Sequence, residues 1–75
     1  MNDSWEDFIE EVNELLEAVD EVMDSCNDPP LDFLDGVAER ARDMAKWAEE
    51  HEVATKRMFN AVRNMRDGVC KWLRD

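Results

Sequence analysis

The stretch that decides the fold of this 75-residue chain is Ala48-Glu49-Glu50-His51-Glu52-Val53-Ala54-Thr55. On both sides of it, apolar residues recur at alternating spacings of three and four, which is the repeat of one face of an α-helix. No proline interrupts residues 33–73, so the pattern alone permits one long helix that would be buried in a dimer. A turn within residues 50–54 would instead give two helices. The repeating positions are Leu34, Val37, Ala41, Met44, Ala48, His51, Thr55, Met58, Val62, Met65, Val69 and Trp72.

Two observations favour the turn. The repeating positions become small or polar at Ala48, His51 and Thr55, and long uninterrupted helices are rare in short domains. We therefore predict an all-α fold, a small up-down-up bundle of three helices in a single domain that covers residues 1–75. The alternative is a helical hairpin with one short and one long helix, which dimerises as a coiled-coil bundle.

The first helix is the most clearly marked of the three. Ser4 is a suitable N-cap with Asp7 at the third position after it, and Pro29 and Pro30 cannot continue a helix. We predict this helix over residues 4–25 or so. Its apolar stripe consists of Trp5, Phe8, Val12, Leu15, Val19, Val22 and Cys26, widened by Ile9, Leu16 and Met23.

Asp32, with Asp35 three residues later, offers the next N-cap. We predict the second helix over about residues 33–50 and the third over about residues 54–73. In an up-down-up bundle the ends of the first and third helices meet at one pole, so Cys26 and Cys70 are expected to be neighbours.

The charge of the chain is unevenly distributed. The net charge is −11, and residues 1–35 hold thirteen of the twenty carboxylates but none of the nine Lys and Arg residues. Such segregation steers partners, and it disfavours nucleic acid or an anionic membrane as the ligand. No apolar run approaches the ~20 residues of a membrane span, and the N-terminus lacks a signal-peptide pattern, so we expect a cytoplasmic protein.

Residues that could carry chemistry are scarce. His51 is the only histidine, and there is no glycine-rich phosphate loop and no CxxC or HxxxH pair. Residues 24–35 are acidic like a calcium loop, but Cys26 and Pro29 stand at positions where such a loop needs an oxygen ligand and a turning glycine. We expect no enzymatic activity, no metal and no cofactor.

The carboxylates of the first helix form a row opposite its apolar stripe, because a shift of two residues is about 200° around a helix. No Lys is interleaved, and like charges four residues apart cost about 0.2–0.5 kcal/mol per pair. The row therefore suggests a binding surface. Its members are Asp3, Asp7, Glu10, Glu14, Glu17, Glu21 and Asp24.

From this row we predict a non-enzymatic acidic protein-binding module, an inhibitor whose carboxylates mimic nucleic acid. The partner would be a basic groove of a nucleic-acid-binding protein, such as a nuclease complex, in the manner of phage anti-CRISPR or anti-restriction proteins. Trp47, Phe33 and Phe59 lie beside their stripes and are candidates for an apolar contact patch, either within the bundle or across a dimer, with Trp47 assigned to the partner-binding residues. His51 is expected to be half-buried and structural. The second hypothesis is a helical dimerisation or assembly protein, since a homodimer would bury more apolar surface.

The third hypothesis rests on Asp43-Met44-Ala45-Lys46-Trp47-Ala48-Glu49-Glu50-His51-Glu52-Val53-Ala54-Thr55-Lys56-Arg57-Met58-Phe59-Asn60-Ala61-Val62. This segment resembles the helix-turn-helix of bacterial transcription regulators. Ala48 matches the small residue of the first helix, and Val53 matches the apolar residue of the turn. The resemblance implies that Arg63 reaches phosphate. It also implies that the major groove is faced by Thr55, Lys56, Arg57 and Asn60. Because a net charge of −11 opposes DNA binding, we expect no direct contact with nucleic acid.

Overall fold

Residues 4–73 of the chain fold into three helices. The computed structural model describes residues 4–73, in which α1 is Trp5–Ser25, α2 is Leu31–His51 and α3 is Lys56–Cys70. The predicted three-helix bundle is confirmed, and the continuous second helix of the alternative is wrong.

The N-terminus of α1 is capped as the sequence predicts. Ser4 has extended backbone angles, and its Oγ accepts a hydrogen bond from the Asp7 N–H at 3.2 Å. The helix ends at Ser25, before the two prolines, and the Cys26 N–H still donates to the Val22 carbonyl at 3.0 Å.

α2 begins two residues earlier than expected. The Leu34 N–H donates to the Pro30 carbonyl at 2.9 Å, so Pro30 occupies the N-cap position, where no side chain makes a capping bond. The ring of proline fixes φ near the helical value, −76° in Pro30, which prepares the chain to enter a helix. Asp32 therefore lies within the first turn and is not the N-cap, although a carboxylate there still interacts favourably with the helix dipole.

The turn between α2 and α3 depends on Glu52. This residue adopts the left-handed conformation (φ 53°, ψ 41°), and within residues 4–73 it is the only non-glycine residue with positive φ. The N–H groups of Glu52 and Val53 both donate to the Ala48 carbonyl, which ends α2. Thr55 then caps α3, because its Oγ1 accepts from the Met58 N–H at 3.2 Å.

Several contacts show that α1 and α3 run in the same direction. The rings of Phe8 and Phe59 meet edge to face with centroids 5.3 Å apart. At the opposite pole, Cys26 Sγ lies 3.7 Å from the Trp72 carbonyl oxygen. Phe33, near the start of α2, contacts the backbone of Gly68, near the end of α3, so α2 runs antiparallel to α3.

α1 is the helix that builds the core, because it packs closely on both α2 and α3, whereas α2 and α3 contact each other much less. Phe59, expected to make an apolar contact within the bundle or across a dimer, makes it within the bundle: it is only 3% exposed and packs beside Phe8. His51, Thr55 and Trp72 are exposed although they continue the apolar spacing. The larger buried side chains are Phe8, Val12, Leu15, Val19, Val22, Leu34, Val37, Phe59, Val62 and Val69.

Candidate functional site

The surface of α1 opposite the core is acidic along its whole length. We call it the acidic face; from Asp7 to Asp24 it spans about 26 Å at 1.5 Å per residue. The predicted member Asp3 lies outside the described residues. The members that the structure describes are all exposed and are Glu6, Asp7, Glu10, Glu14, Glu17, Asp20, Glu21 and Asp24.

One edge of this face is tied to α3 by two ion pairs. Arg63 binds Glu11 through two hydrogen bonds, Nε to Oε1 and Nη2 to Oε2, both at 3.2 Å. Arg66 Nη1 lies 3.0 Å from Glu14 Oε1. The side chains of Arg63, Arg66 and Glu14 are about half exposed or more, and only that of Glu11 is partly buried (22% exposed), so each pair contributes about 0.2–1 kcal/mol at most. Glu14, predicted as a free member of the row, is therefore already partly neutralised.

The remainder of the acidic face has no such compensation. Within residues 4–73 neither ion pair includes Glu10, Glu17 or Glu21, and α1 itself contains no Lys or Arg. We call these three residues the central row, since they lie within about 40° of one another around the helix. They are separated by one or two helical turns and are held on a rigid backbone. The central row is thus free to pair with cations from another molecule.

Trp47 is not part of this surface. It is 41% exposed and lies on α2, where it borders a groove formed with α3. Residues of α1 do not line that groove, so the structure separates Trp47 from the acidic row with which the sequence analysis grouped it.

His51 is exposed rather than half-buried. Its ring stacks on Trp47 with centroids 4.3 Å apart, and its Nδ1 lies 2.9 Å from the Trp47 carbonyl oxygen. This pair lies at the C-terminal end of α2. Among residues 4–73 no group of three or more His, Cys, Asp and Glu side chains could hold a metal ion.

The residues assigned by the helix-turn-helix resemblance are only partly free. Arg63 is engaged with Glu11, and its guanidinium also lies 5.5 Å from the centre of the Phe59 ring. Thr55 uses its hydroxyl as the α3 cap. Val53, the expected apolar residue of the turn, is 46% exposed, and Ala54 is buried in its place.

The ion pairs between α1 and α3 were missed at the sequence level because their partners are 52 residues apart. A weak signal exists, since Arg63 and Arg66 repeat the three-residue spacing of Glu11 and Glu14. It becomes informative only once the two helices are known to be parallel.

Comparison of the chain with known protein families, with curated proteins and with solved structures finds no match. Over residues 4–73 no helix is both long enough and apolar enough to cross a membrane.

Proposed function

We propose that this chain is a non-enzymatic inhibitor that binds the basic, nucleic-acid-binding groove of another protein through the acidic face of α1. The observation that carries the proposal is the uncompensated central row, Glu10, Glu17 and Glu21, on an exposed and rigid helix. Like charges three or four residues apart, such as Glu17 and Glu21, destabilise an isolated helix. A helix selected for stability alone would carry Lys or Arg residues among them. A partner rich in Lys and Arg would relieve that repulsion.

The mechanism is competition for phosphate-binding side chains. The carboxylates of the acidic face that follow three- and four-residue spacings rise about 5 Å from one to the next on average and span about 26 Å of helix. They are Asp7, Glu10, Glu14, Glu17, Glu21 and Asp24. A groove that holds several successive phosphates would meet a comparable line of negative charge. When α1 occupies the groove, the Lys and Arg side chains of the partner can no longer hold DNA or RNA. Phage proteins that block host restriction or CRISPR nucleases would have use for such a surface.

The test compares two charge-matched variants. Glu10→Gln, Glu17→Gln and Glu21→Gln together remove the central row, whereas Glu39→Gln, Glu49→Gln and Glu50→Gln remove three exposed carboxylates of α2. Each immobilised full-length protein is used to capture partners from an extract of cells that encode the chain, with identification by mass spectrometry. Wild type and the α2 variant should retain the same nucleic-acid-binding protein. The α1 variant should lose it.

Affinity is then measured with the purified partner. Binding should weaken more than tenfold in the α1 variant and should fall steeply as salt rises, because exposed charge pairs are screened over about 8 Å at physiological ionic strength. Addition of the chain should displace labelled nucleic acid from the partner. Unchanged affinity of the α1 variant would end the proposal.

Binding to duplex DNA alone is the competing possibility. Fluorescence anisotropy with labelled duplexes should show no binding at physiological salt, because the net charge of −11 repels the phosphate backbone. Submicromolar, sequence-selective binding that Arg57→Ala abolishes would instead support the helix-turn-helix hypothesis.

A further inference from the structure

The side of the molecule formed by α2 and α3 carries an apolar groove that α1 does not cover. Because α2 and α3 contact each other so little, a gap of about 420 Å³ opens between them beside Met44, Ala61 and Met65, and it continues past Met58 to Trp47. The methionines are only half-buried. Phe33, also of α2, is 42% exposed and lies beside Gly68 of α3.

The charges around this groove differ from those of α1. Residues 31–73 contain eight carboxylates and eight Lys or Arg residues, whereas residues 4–30 contain ten carboxylates and no basic residue. The groove itself is bordered by side chains of both signs, namely Arg40, Asp43 and Arg57. A strongly basic partner is therefore drawn to α1 rather than to this groove, whose own border is close to neutral.

A second copy of the chain presents the same apolar groove and the same balance of charge around it. From the apolar groove and the balanced charge, we infer that two copies associate through their α2–α3 faces. Each copy contributes an antiparallel helix pair, and two such pairs form a four-helix arrangement with the methionines and Trp47 at its centre. A two-fold axis brings the Asp43 side of one copy toward the Arg57 side of the other, and both acidic faces then point outward. Any pairing through α1 would place uncompensated carboxylates against each other.

Three consequences separate this dimer from the binding proposed for α1. Dimerisation should strengthen as salt rises, because screening reduces the repulsion between two chains of net charge −11 while apolar contacts persist. Removal of the central row should not weaken it. Loss of Trp47 should weaken it, since a large, exposed aromatic side chain that becomes buried in an interface commonly contributes much of the affinity.

Sedimentation equilibrium of the full chain measures all three. At about 50 µM the wild-type protein should have an apparent mass of twice its 8.8 kDa monomer mass, and dilution should dissociate it. Trp47→Glu should raise the dissociation constant more than tenfold, and the milder Trp47→Ala should do so to a smaller extent, both with an unchanged helical circular dichroism spectrum. Met23→Glu is the matched control, because Met23 is similarly exposed (37%) but lies on α1. A wild type that stays monomeric at high salt and high concentration overturns the inference, as does a Trp47→Glu protein that still dimerises with wild-type affinity.

Discussion

Glu52 adopts a backbone conformation that costs a residue with a side chain about 1–2 kcal/mol, because its Cβ crowds the following carbonyl oxygen. Glycine avoids this cost and is the usual residue at such helix ends. The surrounding structure maintains the conformation of Glu52 through the two hydrogen bonds to the Ala48 carbonyl and the cap at Thr55.

We predict that Glu52→Gly raises the free energy of unfolding by about 0.5–1 kcal/mol, since relief of the strain exceeds the added entropy of the unfolded chain. The control is Glu39→Gly, an exposed position within α2, which should lower it by about 1 kcal/mol. Urea unfolding followed by circular dichroism measures both. Equal destabilisation by the two substitutions would mean that residue 52 is helical in solution.

Phe59 shows what residue-level reasoning can miss. It lies off the apolar spacing of α3, which left open a contact within the bundle or across a dimer, and it is buried against Phe8 of α1. A helix such as α3 buries the side that faces α1. The width of that buried side depends on how closely the two helices pack. Spacing along one helix does not contain that information.

At the scale of elements, α1 combines two opposing contributions. Its apolar side contributes six buried residues to the core, more than either other helix, and among them Phe8, Val12, Leu15 and Val22 are at most 1% exposed. Its opposite side concentrates like charges at three- and four-residue spacings, and only its edge is relieved by the pairs with Arg63 and Arg66. Burial of one side therefore holds together a helix that the other side destabilises.

We predict that removing the central row with Glu10→Gln, Glu17→Gln and Glu21→Gln stabilises the protein by about 1 kcal/mol at low salt, because several like-charge pairs of about 0.2–0.5 kcal/mol disappear. The wild-type melting temperature should rise as NaCl increases from about 0.05 M to about 0.5 M, and the variant should respond less.

The α2 variant, Glu39→Gln, Glu49→Gln and Glu50→Gln, provides the comparison for thermal unfolding as well. Glu50 lies four residues after Lys46, so its removal also loses a favourable pair. This variant should gain little or no stability. A comparable gain in both variants would assign the effect to net charge alone and not to the acidic face.

At the scale of the whole molecule, the parallel arrangement of α1 and α3 brings their ends together. Cys26 is the C-cap residue of α1, and its Sγ lies 3.7 Å from the Trp72 carbonyl oxygen. Cys70 is the last residue of α3. Both thiols are free and half-buried.

We predict that mild oxidation of dilute protein links Cys26 to Cys70 within one chain, because a disulfide requires Cα atoms within about 7 Å and the bundle places both residues at one pole. Mass spectrometry after digestion identifies the link, and non-reducing electrophoresis separates it from linked dimers. Cys70→Ser is the control and should leave Cys26 unlinked within its own chain. A folded protein that gives only intermolecular links would contradict the up-down-up order.

The sequence by itself determined the features that depend on neighbours within a few turns of helix. These are the all-helical class, the Ser4 cap, the end of α1 before the prolines, and the opposition of apolar and acidic sides on α1. Each follows from the 3.6-residue repeat or from the backbone chemistry of serine and proline.

Tertiary structure alone decided the rest. The decay of the apolar spacing predicts a turn within residues 50–54, but Glu52 itself carries no local turn signal. It becomes the turning residue because two helices folded back on α1 bury more apolar surface than one exposed long helix. The ion pairs of Glu11 and Glu14 form because α3 returns parallel to α1, and the groove beside Trp47 opens because α2 and α3 each pack on α1 rather than on each other. Such contacts join residues far apart in sequence, and their free energy exists only when the helices are assembled.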